Sequence, residues 1–200
     1  QQGGRCAFFG EAPYVRAGTW RDNLLLGIPA DEPFDPALAS EVWRATALDV
    51  DLAALPEGEG SAVGERGCRL SGGQAARLSL ARALYQRAPL LLLDDAVFPA
   101  VDAHVRHWLL RHLVRDGPLG PRGARCAGLT TVAVTRAAEV VLAASLVVAL
   151  SPSGGRIAFA GPPAEFVAWR ALVRGPERAL QGAADAPRGG GGGGAGAGDD

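Results

Sequence analysis

Residues 70–95 read LSGGQAARLSLARALYQRAPLLLLDD. Ser71 and two glycines lead into a run with Ala76, Leu78, Leu80, Ala83 and Leu84 apolar, which predicts a helix over about 72–87. A serine and glycines at a helix start build an anion site. The first-turn N–H groups there have no intrahelical acceptor, and the helix dipole favours negative charge. Pro89 ends the periodicity, and Leu90–Leu93 then runs into Asp94 and Asp95. A short apolar run between a proline and two acids predicts a fully buried parallel strand. Carboxylates at the C-terminal end of such a strand sit where α/β sheets place their ligands.

Outward from this stretch the alternation continues. Arg5–Gly10 reads as a short buried strand. Thr19–Asn23 caps and starts a helix ahead of Leu24–Leu26. Leu38, Val42 and Ala45 give residues 36–49 a helical period, with Asp35 and Pro36 at the start. Downstream, a helix over about 104–115 precedes a Gly/Pro/Arg loop at 116–125. A strand at 129–134, a helix at 137–143 and a strand at 145–150 form a βαβ rhythm. Ser153-Gly154-Gly155 is a hairpin turn into a strand at 157–160, and a last helix covers 163–173. Beyond Gly175 the composition predicts a disordered tail. There is no internal repeat. The fold class is α/β with a mainly parallel sheet.

Composition narrows the function. Two hundred residues, 48% of them hydrophobic, suffice for one sizeable core or a core plus a small subdomain. A net charge of −1 gives no reason to expect nucleic acid or an anionic membrane surface as partner. The three cysteines, Cys6, Cys68 and Cys126, include no CxxC pair, which favours a reducing compartment over disulfides or zinc. No apolar run is long enough to cross a bilayer. A chain without Met that begins at Gln1 reads as an internal piece of a longer protein. All 20 basic residues are arginine, so the lysine of a GxxxxGK[ST] phosphate loop is missing.

The order LSGGQ, acidic strand, then Val101-Asp102-Ala103-His104 resembles the nucleotide-binding domain of ATP-binding cassette (ABC) transporters. LSGGQ is that family's signature. Val63-Gly64-Glu65-Arg66-Gly67 resembles the exporter-specific loop that touches the transmembrane domains. Thr19–Gly27 (TWRDNLLLG) resembles the first cassette of the C subfamily, the multidrug-resistance-associated proteins. SGGQAAR together with Ala160–Glu165 (AGPPAE) is most similar to the seventh of those proteins. The resemblance covers about Cys6 to Val173. It implies a cassette over 1–175 with a helical subdomain at about 24–86, lacking the N-terminal phosphate-loop region, and a Gly/Ala-rich tail at 176–200.

What the resemblance implies answers the missing lysine. In this family two cassettes pair head to tail, and each signature caps an ATP held by the other's phosphate loop. Ser71, Gly72, Gly73 and Gln74 would then face a partner's γ-phosphate, with Asp94 holding Mg²⁺ and Asp102 among the nucleotide-binding positions. The implied partners are a second nucleotide-binding domain and the transmembrane domains of the same transporter. The implied place is the cytoplasmic face of a membrane, and the implied cargo an organic anion or drug-like molecule.

Three positions depart from the family pattern. Glu11 stands at the glutamine-loop position, where an ionised carboxylate cannot donate a hydrogen bond. Asp95 stands where a glutamate usually activates water, one methylene short of that reach. Arg136 stands at the switch-histidine position and cannot shuttle a proton near neutral pH. Asp95 fits the degenerate first site of the C subfamily, whereas Glu11, Arg136 and a longer 96–99 loop go beyond it. A regulatory cassette, an inactive partial product and a soluble ABC ATPase acting on ribosomes or nucleic acid are the alternative readings. Elsewhere, His104, His107 and His112 read as surface residues, the four tryptophans as packing, and Cys68 as a small buried filler.

Overall fold

The computed structural model describes residues 5–10, 12–94, 101–111, 130–152 and 154–184. Among them lie strands β1 (Cys6–Phe9), β2 (Leu90–Leu93), β3 (Thr130–Ala133), β4 (Val147–Leu150) and β5 (Ile157–Gly161). The helices are α1 (Trp20–Leu24), α2 (Pro36–Ala45), α3 (Asp49–Ala53), α4 (Gly72–Tyr85), α5 (Ala103–Leu110), α6 (Ala138–Ala143) and α7 (Pro163–Ala184). Contacts divide the chain into two units, residues 1–144 and 145–200.

In the first unit β1, β2 and β3 form a parallel sheet in that order, with Ala7 opposite Leu91 and Leu91 opposite Thr131. This is the mainly parallel α/β sheet expected from the sequence. Its burial is one-sided. Ala7, Phe9, Leu91 and Leu93 enter the core, where α4 packs against β1. The opposite row, Phe8–Leu92–Val132, is open, with Phe8 66% and Val132 50% exposed. The expectation of fully buried strands is therefore corrected. An apolar run shows that both faces are apolar, but not that the described residues cover both. Such a face should bind a hydrophobic dye. Phe8→Ser with Val132→Thr should lower that dye's fluorescence several-fold and leave the melting temperature nearly unchanged; an equal signal from the double variant would place the dye elsewhere.

The helices follow their caps. Thr19 Oγ1 accepts from the Asp22 N–H at 3.0 Å, and Asp22 Oδ2 accepts from the Thr19 N–H at 2.8 Å, a reciprocal capping box. Asp35 Oδ1 accepts from the Leu38 N–H at 2.9 Å, with Pro36 first in α2. The helix expected over 36–49 stops at Ala45, because Ala47 takes a left-handed φ of 53° before α3 begins. Arg87, at φ 47°, likewise ends α4 two residues short of the expected 87. Leu24, Leu48, Leu78 and Leu80 are fully buried where α1 and α2 pack on α4.

The second unit shows the hairpin expected at Ser153–Gly155 and takes its first strand out of the βαβ reading. β4 pairs antiparallel with β5, and Gly154 (φ 89°) and Gly155 (φ 63°) lie in the connection. A two-glycine turn brings the neighbouring strand back locally, so the hairpin needs no crossover. Phe159, Phe166 and Trp169 stack with centroids 5.4–5.8 Å apart, tying β5 to α7. α7 runs to Ala184, through Gly175 and Pro176 and beyond the expected end at 173. The tail at 185–200 lies outside the described residues, as do the 116–125 and 96–99 loops, Ser153, His112 and Cys126.

Two further expectations change. Cys6 and Cys68 are both exposed thiols, so Cys68 is no buried filler. Trp20 and Trp43 are core residues, while Trp108 is half-exposed and donates Nε1–H to the Arg44 carbonyl at 2.9 Å. No helix among the described residues is long and apolar enough to cross a membrane.

Candidate nucleotide site

Three parallel strands deliver their following residues to one edge. The Asp94 N–H donates to the Phe9 carbonyl at 2.9 Å, and the Val134 N–H to the Leu93 carbonyl at 2.8 Å. Gly10, Asp94 and Val134 thus leave the sheet side by side, at the carboxyl end where open α/β sheets take ligands. Asp94 is half-buried and Arg136, three residues past β3, is exposed. Glu11 and Asp95 lie outside the described residues. No group of three or more His, Cys, Asp or Glu among the described residues is placed to hold a metal ion. Mg²⁺ asks for less, since it takes one or two protein carboxylates and completes its shell with phosphate and water. Asp94 alone fits that demand.

Asp102 is the N-cap of α5, where Oδ1 accepts from the Val105 N–H at 2.9 Å. That hydrogen bond, ahead of the Coulombic help of His104 and Arg77, holds its carboxyl below the usual 3.8. Asp35 and Asp22 are lowered for the same first reason, hydrogen bonds from Leu38 and Thr19. A depressed folded pKa gives stability that is present above the unfolded value and lost as pH falls through the folded one. Unfolding midpoints followed by circular dichroism should therefore hold down to about pH 4 and fall below it. Replacing all three with Asn keeps the N-caps at 35 and 102 and should flatten that fall; an unchanged acid limb would assign it to other carboxylates.

The first turn of α4 is built as follows. Ser71 is the N-cap; its Oγ accepts from the Gln74 N–H at 3.1 Å, and Gln74 Oε1 accepts from the Ser71 N–H at 2.9 Å. Gly72 and Gly73 occupy the first two helical positions, whose N–H groups have no intrahelical carbonyl. A Cβ built on Gly72 meets nothing within 4 Å. Ser71 Oγ, used here as an acceptor, keeps its hydrogen for an outside acceptor. An exposed, positively polarised turn carrying a hydroxyl and free amides is equipped for an anionic oxygen.

Behind that turn sits a network that reading the sequence missed. Gln74 Nε2 donates to Asp51 Oδ1 at 2.8 Å, and Arg77 Nη1 donates to Asp51 Oδ2 at 2.8 Å. Arg77 Nη1 also reaches the Ala47 carbonyl, and its Nε donates to the Gly73 carbonyl at 3.3 Å. The signal available was Arg77 itself. An arginine on the buried side of an amphipathic helix requires a partner, yet nothing in the spacing identifies it as Asp51.

The Val63–Gly67 loop is held in an uncommon backbone. Val63 is fully buried, while Gly64, Arg66 and Gly67 all take left-handed φ of 79°, 51° and 73°. A Cβ on Gly67 would also come within 3.0 Å of Val15 Cγ1, so this glycine is required twice over. The turn leaves Glu65 and Arg66 exposed at its tip.

Comparison with known proteins agrees with this arrangement. The family profile described as ABC transporter matches residues 13–97. The metal resistance protein YCF1 of Saccharomyces cerevisiae is 38% identical over 143 residues, 72% of this chain and 9% of its own length. Human ATP-binding cassette sub-family C member 10 is 40% identical over 157 residues, 78% of this chain and 10% of its own. Multidrug resistance protein mrp-7 of Caenorhabditis elegans is 43% identical over 120 residues, 60% of this chain and 7% of its own. The chain thus spans about a tenth of the length of the curated relatives it matches. With the ABC transporter profile covering the first turn of α4 and the end of β2, and with relatives of subfamily C aligned over most of its length, the chain belongs to the ABC transporter family.

Proposed function

We propose that this chain is part of the first ATP-binding cassette of a subfamily C exporter. It binds ATP at a composite site with a second cassette and couples ATP hydrolysis to transport of organic anions or xenobiotics. The observation that carries this reading is the open first turn of α4, where a Cβ added at Gly72 would meet nothing within 4 Å among the described residues packed around it. A glycine that intrachain packing does not require, at a helix start aimed outward, is explained by close approach of a phosphate from another subunit.

In this reading Ser71 donates its hydroxyl hydrogen, and Gly72 and Gly73 their N–H groups, to the γ-phosphate of a partner-held ATP. Asp94 holds Mg²⁺ at the strand edge of its own cassette. Asp95 and Arg136 make that own site a poor catalyst, which leaves hydrolysis to the site that Ser71–Gly73 closes. Asp102, already engaged in capping α5, lies among the nucleotide-binding positions. Glu65, at the tip of a rigid loop, passes closure to the transmembrane domains at the cytoplasmic face of the membrane. ATP supplies the phosphoanhydride when bound; the chain supplies donors, a metal ligand and a rigid frame. Measuring ATP turnover of Gly72→Asp in the two-cassette protein tests the reading, with a strong loss expected and an unchanged rate overturning it.

A further inference from the structure

We infer that Asp51 is a positioning residue for the phosphate-facing turn, setting Ser71–Gly73 through the side chain of Gln74; this rests on the function proposed above. The geometry is a chain of directed contacts. Asp51 sits in α3, a different element from the turn, and uses its two carboxylate oxygens on two residues of α4. Oδ1 takes Gln74 Nε2 and Oδ2 takes Arg77 Nη1, each at 2.8 Å. Gln74 passes the constraint on, because its Oε1 accepts from the Ser71 N–H at 2.9 Å. Both ends of the Gln74 amide are thereby engaged, and its orientation fixes the backbone on which the Ser71 hydroxyl is mounted.

Arg77 closes the network from below. Its side chain is only 11% exposed, and besides Asp51 it holds the Ala47 carbonyl and the Gly73 carbonyl. Ala47 is the left-handed residue that separates α2 from α3. The joint that places Asp51 and the turn that Asp51 steadies are therefore clamped by one guanidinium. A charge-assisted bond to a partly buried carboxylate outlasts solvent competition better than one between neutral groups. The turn is thus preorganised before any nucleotide arrives, which lowers the ordering cost of the closed state.

The route through Gln74 makes the inference separable from general support of the fold. In the complete two-cassette protein, Asp51→Ala should lower ATP turnover at subsaturating ATP by roughly ten-fold or more, the factor expected for one charge-assisted hydrogen bond. Gln74→Ala should lower it similarly. The double variant should be little worse than either single one, since both remove the same link. Asp51→Asn, assigned with its oxygen toward Gln74, should stay within about two-fold of the parent rate, because it keeps that acceptor. Multiplicative losses in the double variant would overturn the inference, as would an Asp51→Asn loss equal to that of Asp51→Ala.

Should Asp51→Ala fail to fold, Gln74→Glu reads the same link from its other end, since its carboxylate cannot donate to Asp51. A five-fold or greater loss is expected there, and full turnover overturns the inference. Gly72→Asp run alongside separates the two levels. If it is inactive while the Asp51 and Gln74 variants keep full turnover, the positioning role fails and the proposed function stands. If it is fully active, the proposed function itself fails.

Discussion

Gly72→Asp should abolish nearly all ATP turnover and transport in the two-cassette protein while leaving the fold intact. The stability half of the expectation comes from the structure. A Cβ added at 72 meets none of the described residues packed around it within 4 Å, and Gly72 is the first residue of a regular helix. A carboxylate at that position even favours the helix dipole, so the melting temperature should be unchanged or slightly higher. The functional half comes from electrostatics. Two negative charges about 4 Å apart near a protein surface repel by about 4 kcal/mol, which is close to a thousand-fold in an equilibrium constant. Asp95→Asn should cost less than about ten-fold, because in the proposed reading the site to which Asp95 belongs already lacks a glutamate base and a histidine at 136. Both variants should be assayed for phosphate release in the same membranes at matched expression. If Asp95→Asn were the more damaging, hydrolysis would have to be placed at Asp95, and the trans-acting role of the Ser71 turn would be wrong.

The 200-residue chain on its own should release no phosphate from ATP above background in the presence of Mg²⁺. It contains no lysine, and arginine at 136 cannot relay a proton near neutral pH. The turn at Ser71–Gly73 acts, in this reading, on a nucleotide that another cassette holds. Even about one turnover per second, ordinary for an enzyme, would overturn this expectation and require a complete site within the chain. A coupled phosphate assay at several chain concentrations distinguishes background from a weak self-association that pairs two copies.

Much of this was legible in the amino-acid sequence because it is local. Ser71 ahead of Gly72, Thr19 three residues before Asp22, and Asp35 before Pro36 announce helix starts through bonds spanning three residues. Leu90–Leu93 announces a strand because it is a short apolar run, too brief for a helix of its own, between a proline and two acids. The LSGGQ stretch, the acidic strand after it and the Val63–Gly67 loop sufficed to place the chain in the ABC family. The same local logic misjudged lengths. It could not foresee that Ala47 and Arg87 would turn left-handed, since alanine and arginine carry no sign of it.

What the tertiary structure decided is which atoms meet across distance. Asp51 lies on α3 while Gln74 and Arg77 lie on α4; their meeting depends on the α2–α3 joint, and no periodicity encodes that bend. The open row Phe8–Leu92–Val132 and the covered row Phe9–Leu93 read alike in sequence, because an apolar side chain declares its dislike of water without naming the surface that will shield it. The pairing of β4 with β5 was legible from its two-glycine turn, but that β4 does not join the parallel sheet beside β3 was not. A strand carries unpaired N–H and C=O groups on both edges, and only the assembled fold determines which neighbour satisfies them.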